Sequence, residues 1–105
     1  MGLDFVWAQA NKTNSGDVVC PATGSSIEIL PARTSRYSMI FNNINGVAVR
    51  LGYLDTGTAA LTNATGWILQ PGQATGDSYP GILSKRVVCM STGIANTITF
   101  NETYR

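Results

Sequence analysis

Side chains that ordinarily do chemistry are few in this 105-residue chain, and one type is missing altogether: there is no histidine. That removes the usual general base near neutral pH, the commonest metal ligand and every Ser–His or Cys–His nucleophile pair. The six acids, Asp4, Asp17, Glu28, Asp55, Asp77 and Glu102, are scattered. A glycosidase needs two carboxyls flanking one bond, and only the fold could bring a distant pair together. No phosphate loop, dinucleotide fingerprint or EF-hand spacing occurs, and Gly52, Gly57, Gly66, Gly72 and Gly76 read as turn residues. The expectation is a protein that is not an enzyme and holds no metal or cofactor.

The two cysteines, Cys20 and Cys89, end or interrupt the apolar runs VVC and VVCM. With no CxxC spacing, neither zinc nor dithiol redox chemistry is suggested. A bridge between them would close a long loop and stabilise by about 4 kcal/mol in the chain-entropy model. The opening MGLDFVWAQANKT lacks the basic and then apolar regions of a cleaved signal. Thiols of a protein made inside a cell are ordinarily reduced and serve as small buried hydrophobes. The reduced state is the expectation here, and the bridge stays open as the alternative. On the same reasoning the sequons at Asn11, Asn63 and Asn101 are expected to be unmodified.

Charged residues make up 12% of the chain and the net charge is +1. No field of that size draws the protein to nucleic acid or an anionic membrane, and no apolar run reaches the ~20 residues of a helical span. About a quarter of residues are charged in an average globular domain. A surface largely occupied by neighbours needs fewer charges, because each one in an interface core must be paired or lose its hydration. A Thr, Asn, Ser and Gly-rich solvated surface would account for the composition equally well.

The elements that must position any site are strands. IEIL (27–30) stops at Pro31. YSMIF (37–41) places Tyr37, Met39 and Phe41 on one face. VAVRLGYL (47–54) alternates, with Val47, Val49, Leu51 and Tyr53 on one side. Between these two strands Asn45-Gly46 has the chemistry of a primed hairpin turn. Trp67 to Leu69 form a short strand ended by Pro71-Gly72. The loop QATGDSYPG leads into ILSKRVVCM, and the last strand, NTITFNETYR, points Ile98 and Phe100 inward. No apolar period of 3.6 residues is sustained, and Gly or Pro interrupts most windows of helical length.

Short strands with regular turns imply one all-β domain, an antiparallel β-sandwich of jelly-roll or Ig-like type. The sandwich is expected over residues 26–105. Residues 1–25 are expected to be either an edge strand of the same sandwich or an N-terminal arm ordered by a neighbour. Candidate partner-binding residues are Phe5, Val6 and Trp7 in that leader, Arg33 and Arg36 before the YSMIF strand, and Tyr79 in the loop beside Pro80. Solvated strand ends are the plainer reading of the arginines. Alternation assigns Tyr37 and Tyr53 to packing.

The order Pro31-x-Arg33-x-x-Arg36, Phe41-x-Asn43, Val49-x-Leu51-Gly52, Gly66-x-x-Leu69-x-Pro71-Gly72, Gly81-Ile82 and a final strand carrying Glu102 resembles a pattern of small tailed-phage structural proteins. The resemblance spans roughly residues 31–104 and consists of turn and strand devices. It implies a virion component: a capsid decoration (cement) protein, a head-fibre part or a head–tail component. Its implied partners are the major capsid protein or other virion proteins, and its implied location is the virion, assembled in the host cytoplasm. Such a protein would be a homo-oligomer, a trimer if it caps threefold lattice positions. The leader and the longer loop from Asp55 to Gly66 depart from the pattern. Two other readings stand beside it. One is a carbohydrate- or receptor-binding module of a phage tail or fibre, using Trp67 and Tyr79 as a platform. The other, a cupin-like enzyme, lacks the histidines its metal would require.

Overall fold

The computed structural model describes residues 12–55, 61, 66–77 and 83–105. Eight strands follow in chain order: β1 Lys12–Cys20, β2 Ile27–Leu30, β3 Arg36–Asn42, β4 Val49–Leu54, β5 Trp67–Leu69, β6 Ala74–Asp77, β7 Arg86–Ser91 and β8 Asn96–Tyr104. They form two antiparallel four-stranded sheets, β1-β8-β3-β6 and β2-β7-β4-β5. The first strand pairs with the last, the second with the seventh, the third with the sixth and the fourth with the fifth. This is a long hairpin rolled into a sandwich, the eight-stranded jelly roll. The expected all-β sandwich is therefore the fold, in its jelly-roll form.

Alternation along the strands supplies the core between the sheets. Met39 and Phe41 of β3, Val49 and Leu51 of β4, Val87 and Cys89 of β7, and Ile98 of β8 are all fully buried there, with Leu30 and Leu69 from the short strands. Cys20 at the end of β1 is bonded to Cys89 in β7, with Cα atoms 5.4 Å apart. The bridge joins one sheet to the other, so the expectation of reduced thiols is corrected. Sequence separation hid that β1 ends directly across the core from β7.

The two sheets differ on their outer faces. In β7 the alternate residues Val88 and Met90 are buried as well, beneath Leu61 from the β4–β5 connection. Gly52 leaves room for this cover, since a Cβ there would lie 2.6 Å from Leu61 Cδ2. The continuous apolar run VVCM is thus a strand buried on both faces. On the other sheet the outer face is uncovered among the described residues, and Ile40 stands 48% exposed in its middle.

Three expectations fail for identifiable reasons. The Asn45-Gly46 segment is no hairpin, because β3 and β4 lie in opposite sheets. Neither residue has positive φ; among the described residues only Gly24, Gly66 and Gly72 do. The crossover is fastened instead by the buried Asn43, whose Nδ2 donates to Val47 O at 2.8 Å and Leu69 O at 3.0 Å. Tyr37 is exposed rather than packed, because the pairing of β3 with β8 shifts register between Arg36 and Ser38. The stretch read as a loop after Gly72 holds β6, paired with β3 from Asn42–Ala74 to Met39–Asp77. Within the leader, Lys12–Cys20 pairs with β8 over its whole length, from Lys12–Tyr104 to Cys20–Asn96. That part is an edge strand of the sandwich. Residues 1–11, with Phe5, Val6 and Trp7, lie outside the described residues.

Candidate functional site

Backbone geometry sorts the connections to two ends of the sandwich. At one end lie the crossovers 21–26, 43–48, 70–73 and 92–95; none of them carries a charged residue. Their order comes from amides. Asn43 N donates to Gln73 O and Gly72 N to Asn43 O, pairing two crossovers back to back. Asn96 Nδ2 donates to Asn43 Oδ1 at 3.1 Å and Val47 O at 2.6 Å. Asn45 Nδ2 reaches Thr97 O at 2.7 Å. The Pro71-Gly72 turn is closed by Gln73 N donating to Gln70 O, with φ of +77° at Gly72, the conformation that a type II turn demands of its third residue. Ile44 and Ile94 are 61% and 74% exposed in these crossovers.

The opposite end is built on ions. Arg36 begins β3 with its side chain fully buried, and Nε donates to Glu102 Oε2 at 2.7 Å. Nη1 donates to the carbonyls of Leu83 and Lys85, and Nη2 to that of Pro31. One guanidinium therefore ties the ends of β2, β3 and β8 to the approach to β7. Glu102 lies on the same face of β8 as Ile98 and Phe100, and also receives Asn14 Nδ2 at 3.1 Å and Arg33 Nη2 at 3.2 Å. Burial pushes its carboxyl up. The Arg36 and Asn14 hydrogen bonds and the charges of Arg36 and Arg33 outweigh that, holding it below its ordinary value. Arg33 lies over the ring of Tyr104, 3.7 Å from its centroid, in cation–π geometry.

These placements revise the candidate residues. Arg36 is an internal cross-link whose buried guanidinium offers nothing to a partner, and the expectation for it is corrected. Arg33 keeps a partly exposed side chain, 29%, while bonded to Glu102. Tyr79, like Phe5, Val6 and Trp7, lies outside the described residues. Trp67 packs against Tyr53 with ring centroids 6.0 Å apart and sits partly buried against the core, which leaves only part of its surface open to a sugar. The Arg36–Glu102 pair was missed. Its signal was parity: Glu102 follows Ile98 and Phe100 at steps of two, on the face assigned to the core.

The surface hollows around Tyr37, Arg50 and Asp55 measure about 210, 170 and 210 Å³, below the ~300–1,000 Å³ of ligand pockets. No cluster of three or more His, Cys, Asp or Glu that could hold a metal occurs among the described residues. The chain is similar in fold to a subunit of Bacillus endospore appendages, described as a novel family of disulfide-linked pili. The TM-score is 0.57 at 11% identity, covering 90% of this chain and 87% of that one. The likeness is one of fold. Tobacco streak virus coat protein superposes more loosely, with a TM-score of 0.39 at 6% identity over 89% of this chain and 85% of that one. No protein-family model matches the sequence, and no curated protein matches it.

The remaining surface of interest is the outer face of the β1-β8-β3-β6 sheet. Register places Thr13, Ser15, Asp17 and Val19 of β1 beside Thr103, Asn101, Thr99 and Thr97 of β8. Ser38, Ile40 and Asn42 of β3 continue the rows to Gly76 and Ala74 of β6. Among these residues Asp17 is the one charge. Short side chains leave the face flat, and a Ser38–Thr103 hydroxyl contact of 2.6 Å holds one row together.

Proposed function

We propose that the protein is a structural subunit that assembles with copies of itself on a larger particle. The virion of a tailed phage is that particle, and this chain is a capsid decoration, head-fibre or head–tail component rather than an enzyme. The observation that carries this reading is the division of the molecule's polar chemistry. Among the described residues the ion pair with both side chains fully buried, Arg36 with Glu102, is sealed inside and closes the fold. Among the described residues the flat sheet face, with Asp17 as the one charge in its rows, is left uncovered. Such a face can be buried against a protein neighbour with little loss of ion hydration. Jelly rolls recur in capsid and lectin domains, so the fold is compatible with the reading and does not by itself select it. The partners are the major capsid protein and further copies of the chain, with a trimer where it caps a threefold position.

The leader serves this role as an arm. An extended chain rises about 3.4 Å per residue, so the residues before Lys12 span up to roughly 35 Å, enough to reach a neighbour with Phe5, Val6 and Trp7. The deletion that tests the arm stops short of Lys12, because Lys12–Cys20 belongs to the sheet. A chain lacking residues 2–11 is expected to melt with the parent and to lose binding to particles assembled without it. Full binding by the truncated chain refutes the arm. Absence of the protein from purified, peptide-mapped particles refutes the virion role.

A further inference from the structure

We infer that Asn45-Gly46 is a self-modifying site, at which the side-chain amide is lost to water by way of a cyclic imide and the uncharged end of the sandwich acquires a negative charge. The inference is independent of the assembly reading. Both residues are exposed in the 43–48 crossover. A Cβ built on Gly46 would meet no atom within 4 Å, so nothing beside the backbone crowds the ring that must form. Gly46 N–H has no hydrogen-bond partner among the described residues, which leaves it open to solvent base. Among the described residues Asn45 itself is held by two hydrogen bonds, N–H to Asn43 Oδ1 at 3.3 Å and Nδ2 to Thr97 O at 2.7 Å.

The chemistry balances with water alone. Base removes the Gly46 amide proton, and that nitrogen attacks Asn45 Cγ, forming a new C–N bond. The Cγ–Nδ2 bond breaks, and the amide nitrogen takes up a proton and leaves as ammonia. One water then opens the five-membered imide at either of its two C–N bonds, giving aspartate or its β-linked isomer. The other asparagines at this end are protected by packing. Asn43 and Asn96 are buried, each uses its amide group in the crossover network, and the residues after them are Ile44 and Thr97 rather than glycine.

Conversion has a structural consequence. Nδ2 is the donor to Thr97 O, and a carboxylate in its place presents only acceptors to that carbonyl. The crossover thereby loses its Asn45 tie to β8 and keeps only the bonds from Asn96 to Asn43 and Val47, and a charge appears beside the exposed Ile44, in connections that otherwise have none.

The experiment incubates the purified full chain in mildly alkaline buffer and follows each asparagine by peptide mapping and mass spectrometry. Conversion at Asn45 several-fold faster than at Asn43, Asn96 or Asn101, suppressed in Gly46→Ala, is the expected result. Gly46→Ala is a fair control because its site has ordinary φ and open space, and its melting temperature should match the parent's. Equal rates at all asparagines, or unchanged conversion in Gly46→Ala, overturns the site. Asn45→Asp tests the consequence: a lower melting temperature than the parent supports loss of the Asn45 tie to β8, and an unchanged one overturns it.

Discussion

Arg36 Nε and Glu102 Oε2 stand 2.7 Å apart with both side chains fully buried, 66 residues apart in sequence, and together they close one end of the sandwich. Four donor bonds leave that guanidinium, one to the carboxylate and three to carbonyls, of Pro31 just after β2 and of Leu83 and Lys85 on the approach to β7. Removing one partner leaves the other as an uncompensated buried charge. Arg36→Met or Glu102→Gln is therefore expected to cost about 3–5 kcal/mol in urea unfolding. The double variant should lose clearly less than the sum, since neither charge is then stranded. Additive losses would show that the two groups are not coupled.

The pH dependence follows from the same carboxyl. Glu102 is held below its ordinary value of 4.5, so the folded state favours the ionised form. The resulting stability is fully present above that ordinary value and is lost as pH falls through the lower folded-state value. Thermal melts of the parent should therefore fall away below about pH 4.5. Glu102→Gln, though less stable at neutral pH, should show a flatter decline over the same range. Parallel curves for the two proteins would contradict the assignment.

The Cys20–Cys89 bridge makes a prediction of its own. Replacing both cysteines by alanine removes the cross-link and two fully buried side chains, whereas reduction removes the cross-link alone. Reduction is expected to lower stability by about 4 kcal/mol in the chain-entropy model, given the 69-residue separation. Because both sulfurs are buried, a thiol reagent should label the reduced protein only as it unfolds. Full labelling of protein unfolded without any reductant would show that the bridge is absent.

Glycines at two positions should respond oppositely. At Gly66 φ is +81° and a Cβ would lie 2.4 Å from Leu51 O, so Gly66→Ala must move backbone. It is expected to cost at least 1–3 kcal/mol, roughly the scale of strained backbone sites. Gly46→Ala, with ordinary φ and open space, should fall within about 0.5 kcal/mol of the parent. Melting temperatures of the two variants decide between this crossover and a primed hairpin, which would make Gly46 the costly site.

How much of this was legible in the sequence depends on where the information lay. Alternation exposed β2, β3, β4, β5 and β8 because their inward residues are Leu30, Met39, Phe41, Leu51, Leu69 and Ile98, all buried. β1 and β6 were hard to see because they are edge strands rich in small and polar residues, fixed by ladder bonds rather than apolar burial. Asn45-Gly46 misled because local turn chemistry says nothing of which sheet the next strand joins. That choice is made by Asn43 and Asn96, whose amides hold the crossover shut. The disulfide and the ion pair join residues 69 and 66 positions apart, contacts that exist only once the hairpin is rolled.

The claim that the chain is an assembling subunit is tested most directly by sedimentation velocity of the purified full-length protein across a concentration series into the tens of micromolar. The account predicts concentration-dependent association into a discrete oligomer, a trimer for a threefold-capping protein, weakened when Ile40→Lys places a charge in the middle of the flat sheet face. A single monomeric species at every concentration, unchanged by that substitution, would contradict it.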